Sequence, residues 1–570
     1  MIHEERYRIT SNEYADLLVE YNNNMLVFES YPNATVHIMN ERYAIVYIPV
    51  AQLTIQIVHQ FGYSSIPALF GLTSEQSLEA SGVQRLRRLP GFNLRGQGIL
   101  VAVIDTGIDY TNPIFRKDDG TSKIVALWDQ TIDSEDQYPP GFFYGTDYTQ
   151  EQINQALDSD NPLSVVPSVD ENGHGTMLAG VAAGRESPEN DFSGVVPDAD
   201  LVIVKLKQAK QNLREFFRIP DDVTDCYQEN DLMWAITYVV DAARRLGRPL
   251  SVCIGLGTSQ GSHDGRLALS TMLSIAADFP GISISISAGN EGNKRRHFFD
   301  TISPAIGYSV VELHVGEGET GFSMALWGAA PTTYSIDILT PTGEYIPRIV
   351  EGLRLNRQIN FVFEDTTIII DYEMVEVQTG DQLILMRFQN PTPGIYRFQV
   401  YGRGDLMGSF HIWLPMGDFI SQNTYFIQSN PYTTITTPGN AVVPITVTAY
   451  NTDNGVLYPG ASKGFTRINA VKPDLAAPGV NIIAPNLEQG FSVSTGTGVA
   501  AAHVAGIAAM LLEWGIVRGA YPGIDTVEIK KFLIRGARRS EVLVYPNRDW
   551  GYGIVDIYHV YEALITNFQR

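Results

Sequence analysis

The stretch "GQGILVAVIDTGIDY", Gly96–Tyr110, determines the fold of the largest part of the chain. It starts with glycines, continues as an apolar run and ends in Asp105, Thr106 and Gly107. A strand buried on both faces of a parallel sheet has this composition, and Asp-Thr-Gly is typical of the turn after it. We therefore predict a parallel strand with Asp105 at its carboxyl end.

Similar apolar runs recur along the chain, and helical segments separate them. Strands are predicted at "ADLVIVKLK", "PLSVCIGLG" and "GISISISAGNEGN", and helices at "ENDLMWAITYVVDAARRLG" and "GRLALSTMLSIAADF". This alternation predicts the α/β class, with an open parallel sheet and helices on both faces. Such sheets carry their sites at the carboxyl ends of strands, where Asp105 and Asn290 both fall.

Two further regions have a different pattern. Residues 1–80 predict a compact α+β module, with helices at "SNEYADLLVEY" and "VAQLTIQIVHQFG" and strands at "NMLVFES" and "RYAIVYIPV". The polar segment "LTSEQSLEASGVQRLRR" that follows predicts a linker. Residues 308–436 hold short strands with turn residues at near-regular spacing, which predicts an all-β sandwich of jelly-roll type. This unit interrupts the α/β domain, which therefore consists of residues 81–307 and 437–570.

Composition limits the classes of function. The chain has 570 residues and a formal net charge of −23, which argues against nucleic acid or an anionic membrane as the main partner. Its polar start, "MIHEERYRITSNEY", does not resemble a secretory signal, and no apolar run approaches the length of about 20 residues of a membrane span. We expect a soluble chain made in the cytoplasm. Two free thiols are the simplest reading of Cys226 and Cys253, with one disulfide or a reactive thiol as alternatives.

Four polar or glycine-rich segments are candidates for a single site. Asp105 ends the first strand, His174 opens a small-residue helix in "NGHGTMLAGVAAG", and Asn290 follows a strand in "SAGNEGN". Gly498 lies at the start of a second small-residue helix in "STGTGVAAAHVAG". Each segment alone has a structural explanation as a cap, a loop or a turn. Together, and in this order, they are far more specific.

The four segments resemble those of the subtilisin-like serine protease family, and the resemblance covers residues 95–307 and 437–562. "GVVPDADLVIVKLK", "KGFTRINAVKPDLAAPGVNI" and "WGYGIVDIYHVYEAL" also resemble segments of that family. The N-terminal module, the β insertion and "AAAHVAG" make the chain most similar to the Csp spore-germination proteases of clostridia. This resemblance implies a spore-associated protein. In that group active members process the zymogen of a spore-cortex hydrolase, and other members regulate germination as pseudoproteases.

The resemblance also implies roles for individual residues. His174 would be the general base and Asp105 the carboxylate that orients it, while the Asn290 side chain and the backbone N–H of residue 498 would bind the oxyanion. Gly255 and Gly257 would let a substrate strand approach, with packing alone as the alternative.

Other residues near these segments are given no catalytic role. The separation between Asp105 and His174 is long for the family and predicts an extra loop, supplied by "DSEDQYPPGFFYGTDYTQEQ". His503 is expected to be structural.

Glycine occupies the nucleophile position, where the family has serine. Gly498 cannot attack a carbonyl, and neither Thr497 nor Ser494 is expected to replace the missing hydroxyl. The chain is therefore predicted to be inactive and to act as a regulator that binds a peptide or partner protein. The alternative is an inactivated variant of an active serine endopeptidase. The sequence leaves open whether Gly498 is natural or engineered.

The expected partners follow from the same resemblance. The N-terminal module should lie in the cleft as an inhibitor, held there by its covalent tether, and an active member would be cut near residues 70–95. A protein substrate or a regulatory partner is the other expected ligand; nucleic acid and a membrane span are not expected. No metal motif stands out and no cofactor is predicted, while structural calcium in surface loops stays open.

Overall fold

The computed structural model describes residues 2–32, 34–73, 93–134, 136–350 and 352–568. Its first part is a module with a three-stranded antiparallel sheet and two α-helices. In chain order the elements are α1 (Ile2–Thr10), β1 (Tyr14–Glu20), β2 (Thr35–Ile38), β3 (Tyr43–Pro49), α2 (Ile57–Phe61) and β4 (Leu69–Leu72). The sheet has the order β1-β3-β2, and β4 leaves it to pair elsewhere. The predicted linker lies outside the described residues, apart from Leu72 and Thr73.

The helix predicted at residues 11–21 is wrong, because this segment forms β1. Leu18 belongs to the apolar core shared with the α/β domain, whereas Leu17 and Val19 belong to a second core on the other face. A strand buried on both faces loses the alternation of apolar and polar residues by which strands are recognised. The apolar residues of β1 therefore have a spacing that also fits a helix.

The strand predicted at residues 24–30 is also wrong, since Met25–Ser30 forms a 3₁₀ helix. The Asn24 side chain caps this helix by accepting a hydrogen bond from the Leu26 N–H at 3.2 Å. Asparagine competes for backbone donors in this way, and here its local bond outweighs the strand propensity of the apolar residues that follow.

An eight-stranded sheet forms the centre of the α/β domain. All neighbouring strands are parallel except the pair at one edge. Numbered along the chain, its strands lie side by side in the order β25 (Leu475–Val480), β24 (Ile445–Asn451), β12 (Ile282–Ser287), β10 (Leu250–Ile254), β5 (Leu100–Asp105), β8 (Asp200–Lys205), β6 (Ile124–Asp129) and β7 (Thr146–Thr149). Asp105 thus ends a central strand, as predicted.

Helices cover both faces of this sheet. The helices of the α/β domain are α3 (Gln150–Leu157), α4 (His174–Ala183), α5 (Gln211–Phe217), α6 (Glu229–Leu246), α7 (Ala268–Ala277), α8 (Thr497–Leu512), α9 (Thr526–Gly536) and α10 (Ile557–Phe568). One apolar core packs α4 and α8 against the sheet, and a second packs α6 and α7 against its other face. Small side chains let α4 and α8 lie close together: a Cβ at Gly506 would be 3.1 Å from the Ala182 carbonyl oxygen.

The central helix corrects one expectation about apolar runs. Thr497–Val517 is 21 residues long with a mean hydropathy of 1.6, which is long and apolar enough for a membrane span. However, 94% of its most apolar window is buried inside the protein. A helix that is apolar on all sides and covered by a fold is a core helix.

The extra segment between Asp105 and His174 is more ordered than a loop. Residues 146–149 form β7, which pairs antiparallel with β6 and extends the sheet at one edge. Thr149 then starts α3 with a capping box completed by Gln152. The insertion therefore widens the sheet.

The β insertion consists of two antiparallel sheets around their own apolar core. The six-stranded sheet has the order β13 (His297–Ile302), β22 (Gly408–Trp413), β15 (Gly321–Gly328), β20 (Gln382–Gln389), β19 (Thr367–Glu373) and β18 (Arg354–Asn360). The five-stranded sheet has the order β17 (Tyr345–Ile349), β16 (Thr333–Leu339), β21 (Gly394–Arg403), β14 (Tyr308–Val315) and β23 (Tyr425–Phe426). The first strand of the insertion, β13, thus starts at His297, before the boundary predicted at residue 308.

Four short strands complete the fold around the site. They are β9 (Tyr227–Gln228), β11 (Leu256–Gly257), β26 (Ile482–Pro485) and β27 (Phe491–Ser494). Strand β4 lies between β11 and β9 and is antiparallel to both. The last segment of the N-terminal module is therefore the middle strand of a small sheet whose outer strands belong to the α/β domain.

One apolar core joins all three regions. The N-terminal module contributes Val46, Ile57 and Leu69 among others, and the α/β domain contributes Leu213 and Phe217. The insertion contributes residues that include Trp327, Leu385, Trp413, Met416 and Phe419. The module thus packs against both the α/β domain and the insertion.

Candidate functional site

Asp105 and His174 form a hydrogen-bonded pair at the carboxyl end of β5. His174 is the first residue of α4, and its Nδ1 lies 2.6 Å from Asp105 Oδ1. Because a carboxylate only accepts, Nδ1 carries the proton and donates it to this bond. The Thr106 N–H donates to the same oxygen at 2.8 Å. The pair therefore fixes the ring so that its other nitrogen, Nε2, is the one available as a base.

Two opposing effects set the protonation of His174. Burial by itself lowers the pKa of His174. The charge of Asp105 and its hydrogen bond, with the charges of Asp170 and Asp225, outweigh burial and raise the pKa above its ordinary value. The site therefore stabilises an imidazolium, which is what a general base becomes when it takes a proton.

Asp170 holds the loop that carries His174, and the sequence did not single it out. Its carboxylate accepts from the Thr106 hydroxyl and the Gly173 N–H, both at 2.8 Å. It also accepts from the Thr176 N–H at 2.9 Å and the Thr176 hydroxyl at 2.7 Å. The spacing Asp170–Gly173–Thr176 around the start of a helix was the signal that could have identified it.

Gly255 and Gly257 lie along β11 and the residue before it, where β4 pairs. Leu256 and Gly257 pair with Leu72 and Gly71. A Cβ at Gly255 would lie 3.1 Å from His174 Cε1, and a Cβ at Gly257 would lie 2.5 Å from the Thr436 hydroxyl. Both glycines thus border a peptide strand, and both are also required by packing.

The segment in the cleft ends, within the described residues, at Thr73. The Thr73 N–H donates to the Gly255 carbonyl at 3.0 Å, and the Thr73 hydroxyl donates to the same carbonyl at 2.5 Å. Because a hydroxyl has one proton, the Thr73 oxygen accepts from the Ser287 hydroxyl, 2.7 Å away. The Thr73 carbonyl accepts from the Gly498 N–H at 2.8 Å. This carbonyl therefore occupies the position next to the oxyanion donor where a scissile carbonyl would lie.

Asn290 and Thr497 occupy the other side of this position. The Asn290 amide oxygen accepts from the Thr497 N–H and hydroxyl, each at 3.2 Å. This orientation leaves the Asn290 amide N–H groups for an oxyanion. The Thr497 hydroxyl also accepts from the Gly289 N–H at 3.0 Å, so its bonds are made to the loop that carries Asn290.

His174 Nε2 has no protein partner within the described part of the chain. Both this nitrogen and Asp105 Oδ2 are buried without a hydrogen bond there. Ser494 pairs with Ile482 in a surface hairpin, so the structure does not bring its hydroxyl to the base. The structure thus brings Asp105, His174, Asn290, Gly255, Gly257 and Gly498 together around one peptide segment.

Several other candidate groups lie outside this cluster. Cys226 and Cys253 are both free and buried, and burial raises the pKa of the Cys226 thiol to about 12. His503 is fully buried within α8. The described residues hold no group of three or more His, Cys, Asp or Glu side chains suited to a metal ion.

An Asp–His pair lies at the carboxyl end of a parallel strand, and a helix of small residues begins on the other side of the docked segment. This arrangement is typical of serine proteases with an α/β fold. The subtilase family model matches residues 96–305 and 422–553, more than half of the chain. The chain belongs to the subtilase family.

Its structure is similar to that of the CspB protease of Clostridium perfringens, with a TM-score of 0.75 and 30% sequence identity. That match covers 86% of this chain and 98% of the other.

Two curated proteins are more distant relatives. A C5a peptidase of Streptococcus pyogenes serotype M18 is 24% identical over 534 residues, which is 86% of this chain and 42% of that protein. An intracellular serine protease of Paenibacillus polymyxa is 32% identical over 112 residues, 20% of this chain and 24% of the relative. The chain thus spans well under half the length of these relatives.

Proposed function

We propose that this chain is a catalytically silent subtilase that holds its own N-terminal segment in the cleft and works by binding. The bond from the Gly498 N–H to the Thr73 carbonyl carries this proposal. It is the contact that a subtilase makes with the carbonyl it attacks, and here it is made by a residue without a nucleophile. In the absence of the serine, about 10⁶-fold of the rate is lost, and the residual rate is too slow for processing.

Contacts outside the cleft support retention of the segment. Asp16 in β1 and Lys210 of the α/β domain form an ion pair with both side chains almost completely buried. The second Asp16 oxygen accepts from Gln228 at 2.8 Å and from Asn230 at 2.9 Å. A buried charge with all its partners in place fixes one docking arrangement, since every other arrangement would leave charges unpaired.

The partner of such a regulator would be a protein. Similarity to the CspB protease supports a place in the same group of subtilases. In this proposal the chain acts as a spore-associated regulator of germination, and Gly498 is the reason that it lacks protease activity. The strong negative charge of the chain favours a partner with a basic surface.

A second candidate is an inactivated variant of an active endopeptidase. The intact Asp105–His174 pair favours it, because a site that has long ceased to cut has no need of a bond at 2.6 Å between these side chains. In this candidate the parent chain carries serine at position 498 and cuts itself after Thr73.

Restoring the nucleophile tests both candidates. The Gly498→Ser chain is purified beside the unaltered Gly498 chain, called the natural chain below, with Gly498→Ala as the variant without a hydroxyl and Gly498→Ser/His174→Ala as the variant without a base. Intact-mass spectrometry then follows each over time. The silent subtilase requires that the natural chain stays whole, and self-cleavage of that chain contradicts it. The inactivated endopeptidase requires cleavage of Gly498→Ser between Thr73 and Ser74, and an intact Gly498→Ser chain contradicts it.

A further inference from the structure

Alternate residues of β4 face two different parts of the protein. Phe70 packs in the core shared with α6 and α7, and Leu72 packs against that core. Leu69 lies in the other core, with the apolar residues of the insertion. Since side chains alternate along a strand, position 71 faces the same side as Leu69. Glycine at this position therefore borders the insertion side of the cleft.

The aromatic ring of Phe419 covers Gly71. A Cβ on Gly71 would lie 3.3 Å from Phe419 Cζ and 3.5 Å from Cε1, with the Asp225 carbonyl oxygen 3.7 Å away. Phe419 is itself only 3% exposed and belongs to the apolar core with Leu69 and Met416. A methyl group at position 71 would be tight, and a branched side chain would overlap the ring.

The segment that carries Phe419 is fastened to the cleft. We name residues 416–420, which lie between β22 and β23 of the insertion, the roof segment. Glu291 accepts from the Gly417 N–H at 3.0 Å, and Arg296 donates to the Gly417 carbonyl at 2.7 Å and to the Ile420 carbonyl at 3.2 Å. Glu291 directly follows Asn290, so the roof segment is tied to the loop that borders the oxyanion position. These bonds fix the backbone on both sides of Phe419.

We propose that Phe419 is a specificity-determining residue, which restricts the cleft to segments with glycine two residues before the residue whose carbonyl meets Gly498. This rests on the proposed function, in which the cleft holds a peptide. The segment in place satisfies it with a buried aromatic residue at Phe70, glycine at Gly71 and a small hydroxyl residue at Thr73. A partner segment that displaces β4 has to be an extended peptide with the same pattern.

Hydrogen exchange in the natural Gly498 chain tests this without any catalytic step. Exchange of the peptide covering residues 66–73 is measured by mass spectrometry in Gly71→Val and in Gly71→Val/Phe419→Ala. We expect Gly71→Val to speed exchange roughly tenfold or more, because overpacking displaces the strand. Removal of the ring should restore most of the protection. Leu72→Ala and Leu72→Ala/Phe419→Ala form the matched control, since Leu72 packs on the other side and the second substitution should not rescue it.

Each outcome decides the proposal. Unchanged exchange in Gly71→Val, or rescue of Leu72→Ala as complete as that of Gly71→Val, overturns the role of Phe419. If Gly71→Val does not fold, Gly71→Ala replaces it, with a smaller acceleration that Phe419→Ala must again reverse. A natural chain whose residues 66–73 exchange as fast as an unfolded peptide contradicts the proposed function itself. Protection in the natural chain with no effect of Gly71→Val contradicts only this inference.

Discussion

The two halves of the cleft differ in which groups of a serine-protease site are present. On the His174 side the contacts that hold the base are present, from the 2.6 Å bond to Asp105 to the five bonds that Asp170 accepts. On the Gly498 side the backbone donor is present and bonded to the Thr73 carbonyl, but the attacking hydroxyl is missing. Binding geometry and reactivity therefore depend on different atoms of the same site.

This difference shows which changes are compatible with a folded cleft. Gly498 is buried at the start of α8, and its bond to the docked segment is made by its backbone N–H. Loss of a hydroxyl there costs the reaction and leaves the docked segment in place. Removal of a buried carboxylate on the other side would instead leave a histidine without its partner.

The largest expected effect combines one change from each half. In a Gly498→Ser background, His174→Ala should lower the rate of cleavage after Thr73 by roughly 10⁶-fold, because the serine then has no base. A time course by intact mass measures this rate. His503→Ala, which removes a buried histidine outside the cleft, distinguishes a general loss of stability from loss of the base. Equal cleavage with and without His174 would show that another group activates the serine.

A smaller effect is expected at Asp105. In the Gly498→Ser background, Asp105→Asn should slow cleavage by about 10⁴-fold, since the ring loses its preferred tautomer. The natural chain gives a second readout by NMR: the pKa of His174 should lie above 6.5 and fall in Asp105→Asn, which removes the largest of the charges that oppose burial.

The raised pKa of His174 also predicts how the cleavage rate and the stability of the folded chain depend on pH. Cleavage in Gly498→Ser needs neutral His174, so its rate should rise with pH through a midpoint above 6.5. Because folding raises this pKa, protonated His174 stabilises the folded chain at low pH, and that contribution is lost as pH rises through the raised pKa. Asp109→Asn, on the loop that follows β5, should change neither pH dependence. A His174 pKa below 6.5 in the natural chain contradicts the charge effect assigned to Asp105.

The next prediction concerns the oxyanion donors. In Gly498→Ser, Asn290→Ala should slow cleavage by roughly 10²- to 10³-fold, because one of two donors is lost. In the natural chain the same substitution should leave residues 66–73 protected from exchange, since the Gly498 N–H still holds the Thr73 carbonyl. Asn293→Ala, an exposed neighbour, is the control for both measurements. Equal rates for Gly498→Ser with and without Asn290 would remove this residue from the site.

The smallest expected effect is on binding alone. Thr73→Val removes the hydroxyl that bonds to the Gly255 carbonyl and the Ser287 hydroxyl, which should weaken docking by about 1 kcal/mol. Exchange of residues 66–73 should then be about fivefold faster. Thr10→Val, at the exposed end of α1, should have no effect on that segment. An effect of Thr73→Val no larger than this control would show that the hydroxyl contributes nothing to docking.

How far the sequence predicts this structure depends on how many distant segments a feature needs. The strand ending at Asp105 was predictable because its apolar run is local and continuous. The position of Thr73 was not, since it depends on Gly255 and Gly498, which lie far away along the chain. The same holds for Phe419 over Gly71. Strand β1 shows a third case, in which two cores share one strand and remove its local pattern.

The apolar core that joins the three regions has a consequence for the number of polypeptides in a processed protein. A cut after Thr73 would separate two chains but would leave that core and the Asp16–Lys210 pair unchanged. The first chain would then behave as a subunit, released only when the larger body opens. For this architecture one backbone bond more or less changes the count of chains and leaves the folded body the same.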